Sequence, residues 1–252
     1  MRTKLTALLA IGGCLAAVGV ATAATVTVAL YSFQTQADVA AFARLAGGKC
    51  ARKWEGQKAM AVSVAAGKPN FCLMRTSVVG DSTDPGSDME ITANAYLGSG
   101  TPTKLKPKAF VGVATRASET AGYQLRIRPA AQVWQLFRDP RGAAGPTLYK
   151  AGKAKFIKSG ATTRATADKP AKTPKPGASS NLILLQTFDN NTATTNVTAM
   201  VNGRLLLSFA DTGADQPDGR RSAVSVGVKG AGSAAGVTGV FDNVAIQVPS
   251  PF

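Results

Sequence analysis

The chain predicts an all-β protein, a two-sheet antiparallel β-sandwich, on three observations. Short runs alternate apolar and polar residues with period two, Gly, Pro, Asn and Asp bound them, and no long stretch carries an apolar stripe at helical spacing. The runs are TVTVALYSF, KAMAVSVAA, FCLMRTSVV, DMEITANAYL, AFVGVATRA, GYQLRIR, VWQLFRD, NLILLQTFD, NVTAMV, RLLLSFA, SAVSVGVKG and GVFDNVAIQV. So many short strands with frequent turns suit two packed antiparallel sheets, the sandwich or jelly-roll solution.

At the N-terminus, Arg2 and Lys4 precede an apolar stretch from Leu5 to Val20, and Ala21-Thr22-Ala23 supplies a small-x-small cleavage pattern. Residues 1–23 therefore read as a secretory signal, and 24–252 as a single β-sandwich domain that is secreted, extracellular or cell-wall associated. Interrupted by Gly12, Gly13 and Gly19, the stretch is short for a membrane span of about twenty residues, so no span is expected after signal cleavage. A loose lipobox, Ile11-Gly12-Gly13-Cys14, makes lipidation of Cys14 the minor alternative. Removal of the signal leaves Cys50 and Cys72, an even number in an oxidising compartment, which pair as one disulfide; no C-x-x-C spacing marks a redox site.

One short helix is expected near the start, in QADVAAFARLAGG from Gln36, where Val39, Phe42 and Leu45 recur near a period of 3.6 and Gly47-Gly48 ends it. Later, GYQLRIR pairs with VWQLFRD, with Pro129 forcing a loop or edge between them. Asn202-Gly203 separates NVTAMV from RLLLSFA and suits a tight type I′ hairpin, because both residues accept positive φ.

The formal charge of +15 is unevenly spread. Eight basic residues between Lys150 and Lys175 face one acid, Asp168. The segment 159–180, SGATTRATADKPAKTPKPGASS, has too few aromatic and large aliphatic residues to fold alone and reads as a flexible basic Lys/Pro-rich insert. Charge of this kind attracts anionic polymers without choosing among them. Export argues against a specific nucleic-acid partner.

The series VGVATRASETAGYQLRIR, VWQLFRDP, NLILLQTFD, VTAMVNGRLLLSFAD and GVFDNVAIQV resembles the concanavalin A-like jelly-roll superfamily, in particular its laminin-G-like and 3-keto-disaccharide-hydrolase-like members. The resemblance runs from about Tyr31 to Val248 as an order of elements, and the basic insert and the disulfide depart from it. It implies a jelly roll with a broad sheet on which aromatic rings stack against sugars while arginines and amides bind hydroxyls or carboxylates. Arg116, Gln124, Arg126, Trp134 and Arg138 are the ligand-binding candidates on that ground. Alternation places Tyr123, Leu125 and Ile127 on one face and Gln124, Arg126 and Arg128 on the other. Trp134 is open to two readings, sugar platform or core.

Catalysis is constrained by composition. Without histidine the chain lacks the usual general base of serine and cysteine hydrolases and the commonest transition-metal ligand. Glycoside hydrolysis needs only two carboxylates. Asp88 and Glu90, at i and i+2 on one strand face, are the weak candidates, but no third acid follows as in the superfamily's glycanases. No cofactor is expected; a structural calcium is the alternative, with Asp81, Asp84 and Asp88 as its oxygen ligands and turn chemistry as the competing reading. The function expected is a non-catalytic sandwich binding a polysaccharide or another anionic cell-surface polymer. A divergent glycan hydrolase and a purely structural surface module are the alternatives.

Overall fold

The computed structural model describes residues 25–56, 59–65, 70–79, 88–138, 147–159, 180–189, 194–217, 219–230 and 236–249. Among the described residues, fifteen strands form two antiparallel sheets. In chain order they are β1 (Thr25–Tyr31), β2 (Ala43–Gly47), β3 (Cys50–Trp54), β4 (Met60–Val64), β5 (Phe71–Val79), β6 (Met89–Leu97), β7 (Ala109–Ala117) and β8 (Tyr123–Arg128). There follow β9 (Val133–Arg138), β10 (Thr147–Lys153), β11 (Asn181–Asp189), β12 (Thr195–Val201), β13 (Arg204–Asp211), β14 (Arg221–Val228) and β15 (Thr238–Pro249). The eight-stranded sheet runs β13-β12-β11-β6-β15-β4-β3, with β1 pairing on β15; the seven-stranded sheet runs β10-β9-β8-β7-β14-β5-β2.

Each of the twelve expected runs contains a strand, and the Asn202-Gly203 hairpin is present with φ of 52° and 73° at its centre. The early helix differs. Helix α1 covers only Gln36–Ala40, and Ala43–Gly47 is a strand paired with β5. Helical spacing there reflects a different packing: Phe42 is fully buried, 4.9 Å from the Tyr31 ring and 5.6 Å from that of Phe33. A partner strand outweighs the weak propensity of one further helical turn.

Alternate residues of both sheets fill the space between them. Ile91, Ile183, Leu185 and Phe241 point in from one side, and Val111, Leu125, Ile127, Trp134 and Val224 from the other, all in one core cluster. Register shifts break the alternation in several strands. In β15 the register shifts between Asp242 and Ala245, with Asn243 at φ 48°, so Phe241 and Val244, three apart, are both fully buried. Asp242 and Asn243 thus sit in a bulge within the last strand.

Cys50 and Cys72 are disulfide-bonded, joining the edge strand β3 of one sheet to β5 of the other. Elsewhere the stacked rings of Tyr149 and Phe209, 4.1 Å apart, link the edge strands β10 and β13. Asn181 accepts from the amide of Lys158 at 2.7 Å and donates to its carbonyl at 2.9 Å, while Asn202 donates to the Phe156 carbonyl at 2.8 Å. These bonds fix 156–158 against the start of β11, at the two ends of the basic segment. Most of that segment, 160–179, lies outside the described residues.

Candidate functional site

The five ligand candidates do not share a face. On β8 and β9 the register pairs Tyr123 with Arg138, Leu125 with Leu136 and Ile127 with Trp134, and this row faces the other sheet. Trp134 is a core residue, nearly buried. Opposite it stands Gly152, whose absent side chain leaves the room its indole occupies: a Cβ there would lie 2.7 Å from Trp134 Nε1. The packing answers the question alternation left open, because a ring so enclosed offers no face to a sugar.

Arg116 and Arg138 also turn inward. A register shift between β7 and β14, with Arg116 at φ 46°, re-aims the Arg116 side chain toward the facing sheet. There it pairs with Asp189 at 2.7 Å and donates to Thr195 Oγ1 at 3.0 Å. Arg138 Nε lies 3.2 Å from Asp211 Oδ2, which also accepts from the Tyr123 hydroxyl at 2.6 Å, and Asp211 Oδ1 accepts from the Gly213 amide at 3.0 Å. Both guanidinium groups are therefore engaged by carboxylates of the fold, and this end of the sandwich is a polar strut.

Burial, then the hydrogen bond and charge of Asp211, hold the Tyr123 phenol well above its ordinary value. A raised folded-state pKa gives stability that is intact below the unfolded value of about 10 and lost as pH climbs past it. Stability should fall from about pH 10 upward, and less steeply in Tyr123→Phe, which has no phenol to ionise. Urea unfolding of both proteins at about pH 8 and about pH 10.5 checks this.

Gln124 and Arg126 lie on the outer face of the seven-stranded sheet. Arg126 stands among three phenyl rings, 4.3 Å from the Phe137 centroid, 4.5 Å from Phe110 and 5.8 Å from Phe71. It donates to Gln124 Oε1 at 2.6 Å and faces Gln135 across the ladder. Beside this group the sheet carries small residues, Gly112 and Ser225 in the row of Arg126, Ala114 and Ala223 in that of Gln124. The polar groups are recessed: Gln124 is 1% exposed, Arg126 8% and Gln135 7%. Gln124 Nε2 and Ser225 Oγ, both buried, have no hydrogen-bond partner. Each such group costs about 1–3 kcal/mol. Sequence alternation put Gln124 and Arg126 on the outer face, but Gln135, Ser225 and the three phenylalanines were missed. Their runs carried the right parity, and only strand order brings β5, β14, β7, β8 and β9 side by side.

The other candidates lie apart. Asp88 accepts a hydrogen bond from the Asp189 amide, bracing the end of β11. Glu90, half-buried on the outer face of the eight-stranded sheet between Gln186 and Gln247, has its carboxyl pushed up by burial. Asp81 and Asp84 lie outside the described residues. Among the described residues, no three His, Cys, Asp or Glu side chains group as a metal site.

Solved structures share this architecture. An endo-1,3-beta-glucanase from Streptomyces sioyaensis superposes with a TM-score of 0.57 at 9% identity, over 90% of this chain and 97% of that one. A Bacillus subtilis protein of unknown function with a galectin-like fold superposes with a TM-score of 0.54 at 11% identity, over 89% and 97%. The fold is the antiparallel jelly roll these structures share. No family model matches the chain, and no curated protein does.

Proposed function

We propose that this jelly roll is a secreted, non-catalytic module that binds carbohydrate on the outer face of its seven-stranded sheet. The carrying observation is the cluster of Gln124, Arg126 and Gln135 on that face, with the Arg126 guanidinium set among Phe71, Phe110 and Phe137. Phe110 and Phe137 hold the guanidinium in place, so little side-chain freedom is lost when a ligand docks. A guanidinium and amides together suit hydroxyls and carboxylates of a glycan. Sharing a fold with an endo-1,3-beta-glucanase agrees with a polysaccharide ligand. The basic segment adds attraction to anionic polymers, and the apolar N-terminal stretch directs export.

Retention on a panel of insoluble polysaccharides and cell walls tests this reading. The purified protein should be held at about 1 M salt, where the Debye length is about 3 Å and exposed charges are screened. Arg126→Ala and Gln124→Ala should each weaken retention about tenfold, while deletion of 160–178 should matter only at low salt. Retention confined to low salt and lost with the deletion would reduce binding to electrostatics. Absence of retention on every polymer would leave a structural module, and release of reducing sugar dependent on Glu90 would make it a hydrolase.

A further inference from the structure

Two further arginines, Arg75 of β5 and Arg221 of β14, belong to the outer face of the seven-stranded sheet, the face that carries Gln124 and Arg126. Register places them there. Arg75 pairs with Ala223, Ala223 with Ala114 and Ala114 with Gln124, so Arg75 and Gln124 share one row across four strands. Arg221 stands two residues before Ala223 on the same strand, hence on the same face, beside Ala117 of β7. It is the diagonal neighbour of Arg75, a placement within reach of long side chains. Between and around them Leu73, Ala114, Ala117 and Ala223 form an apolar cluster separate from the main core, with Leu45 and Ala46 of β2 packed against it.

Both arginines are half-buried, and among the described residues no carboxylate pairs with either. Arg116 and Arg138, by contrast, each meet an aspartate. The bond Arg221 does make, to the Ser77 carbonyl at 3.0 Å, reaches a neutral acceptor. Burial first, and then the positive charge of Arg75, lower Arg221 from its ordinary value, so the two guanidinium groups are close enough to repel. Like charges on neighbouring strands work against the sheet. An oxyanion between them reverses that sign, and the planar fork of arginine matches a carboxylate through two parallel hydrogen bonds.

Distance sets the size of the ligand. Arg75 and Gln124 are three strand spacings apart, about 14 Å. A single small anion cannot touch both, whereas a polymer lying along the row can.

We propose that Arg75 and Arg221 form an anion clamp at one end of this face and that its ligand is an acidic polysaccharide. A uronate carboxylate sits between the two guanidinium groups, and the chain runs over Ala223 and Ala114 to Gln124. The proposal rests on the carbohydrate reading of this face and adds the class of sugar and the residues that select it.

Retention of the purified protein on immobilised polygalacturonate and on its methyl ester, which share a backbone and differ in charge, tests the clamp. At about 1 M salt the Debye length is about 3 Å, so the basic segment is screened while charges in contact are not. The acid should be held about tenfold more tightly than the ester. Arg75→Gln and Arg221→Gln should each bring the acid down to the level of the ester. Arg52→Gln, which removes the same charge from β3 of the other sheet, should keep the preference, with melting temperature as the control for folding. The clamp is overturned by equal retention of acid and ester, by a preference that survives in either arginine variant, by an equal loss in Arg52→Gln, or by retention of neither polymer. Gln124→Ala reports on the carbohydrate reading itself, since it should weaken acid and ester alike. Equal retention of both polymers that is lost in Gln124→Ala keeps that reading and removes the clamp. An acid preference that needs both arginines, with retention indifferent to Gln124→Ala, supports the clamp and overturns the site at Gln124.

Discussion

Asp189→Ala is expected to lower the free energy of unfolding by about 3 kcal/mol, the lower end of the range for breaking a buried ion pair. The loss comes from the surviving partner. The Arg116 side chain is 4% exposed, and without the carboxylate 2.7 Å away its charge stays buried with weaker company. Two features keep the value at the low end. Asp189 is itself 29% exposed, and Arg116 retains Thr195 Oγ1 at 3.0 Å and the Pro217 carbonyl at 3.5 Å. Asp189→Asn, which keeps an acceptor but not the charge, should lose less. Urea denaturation, with an unchanged slope and a lower midpoint, measures both variants. A loss in Asp189→Ala below about 1 kcal/mol would mean that water screens the pair as it does a surface bridge.

Replacing both Cys50 and Cys72 with alanine should cost about 3 kcal/mol by a different route. The bridge spans a sequence separation of 22 and joins the two sheets, so its removal enlarges the unfolded ensemble while the native contacts stay in place. Denaturant midpoints measured with and without a reductant separate this from a packing defect. The wild-type midpoint should fall on reduction to nearly that of the double variant, and the variant should not respond. A variant less stable than the reduced wild type would show that the alanines had left a cavity beside buried Cys72.

The strands were legible because each buries one face, and period two is written directly into such a run. β2, β3 and β10 were not. Arg52, Lys53, Trp54 and Thr147–Lys153 are mostly exposed edge residues, so no buried face imposes an alternation. At the candidate site, parity correctly grouped Gln124 with Arg126. It could not say that Trp134 lies on the core row, since both faces of β9 carry an aromatic residue and the choice is made by Gly152 on a neighbouring strand. Nor could alternation place Arg116, whose direction depends on a bulge, an irregularity that no periodic pattern encodes.

The pairing of β1 with β15 sets Thr25 beside Pro249, on adjacent strands about 5 Å apart. A short peptide could thus join these two positions, and the chain could be opened elsewhere, for instance at the Asn202-Gly203 turn, without altering the order of strands in either sheet. The same neighbourhood makes the jelly roll an insertable unit: spliced into an exposed loop of a host protein, it would enter and leave at nearly one point and leave the host's path undisturbed.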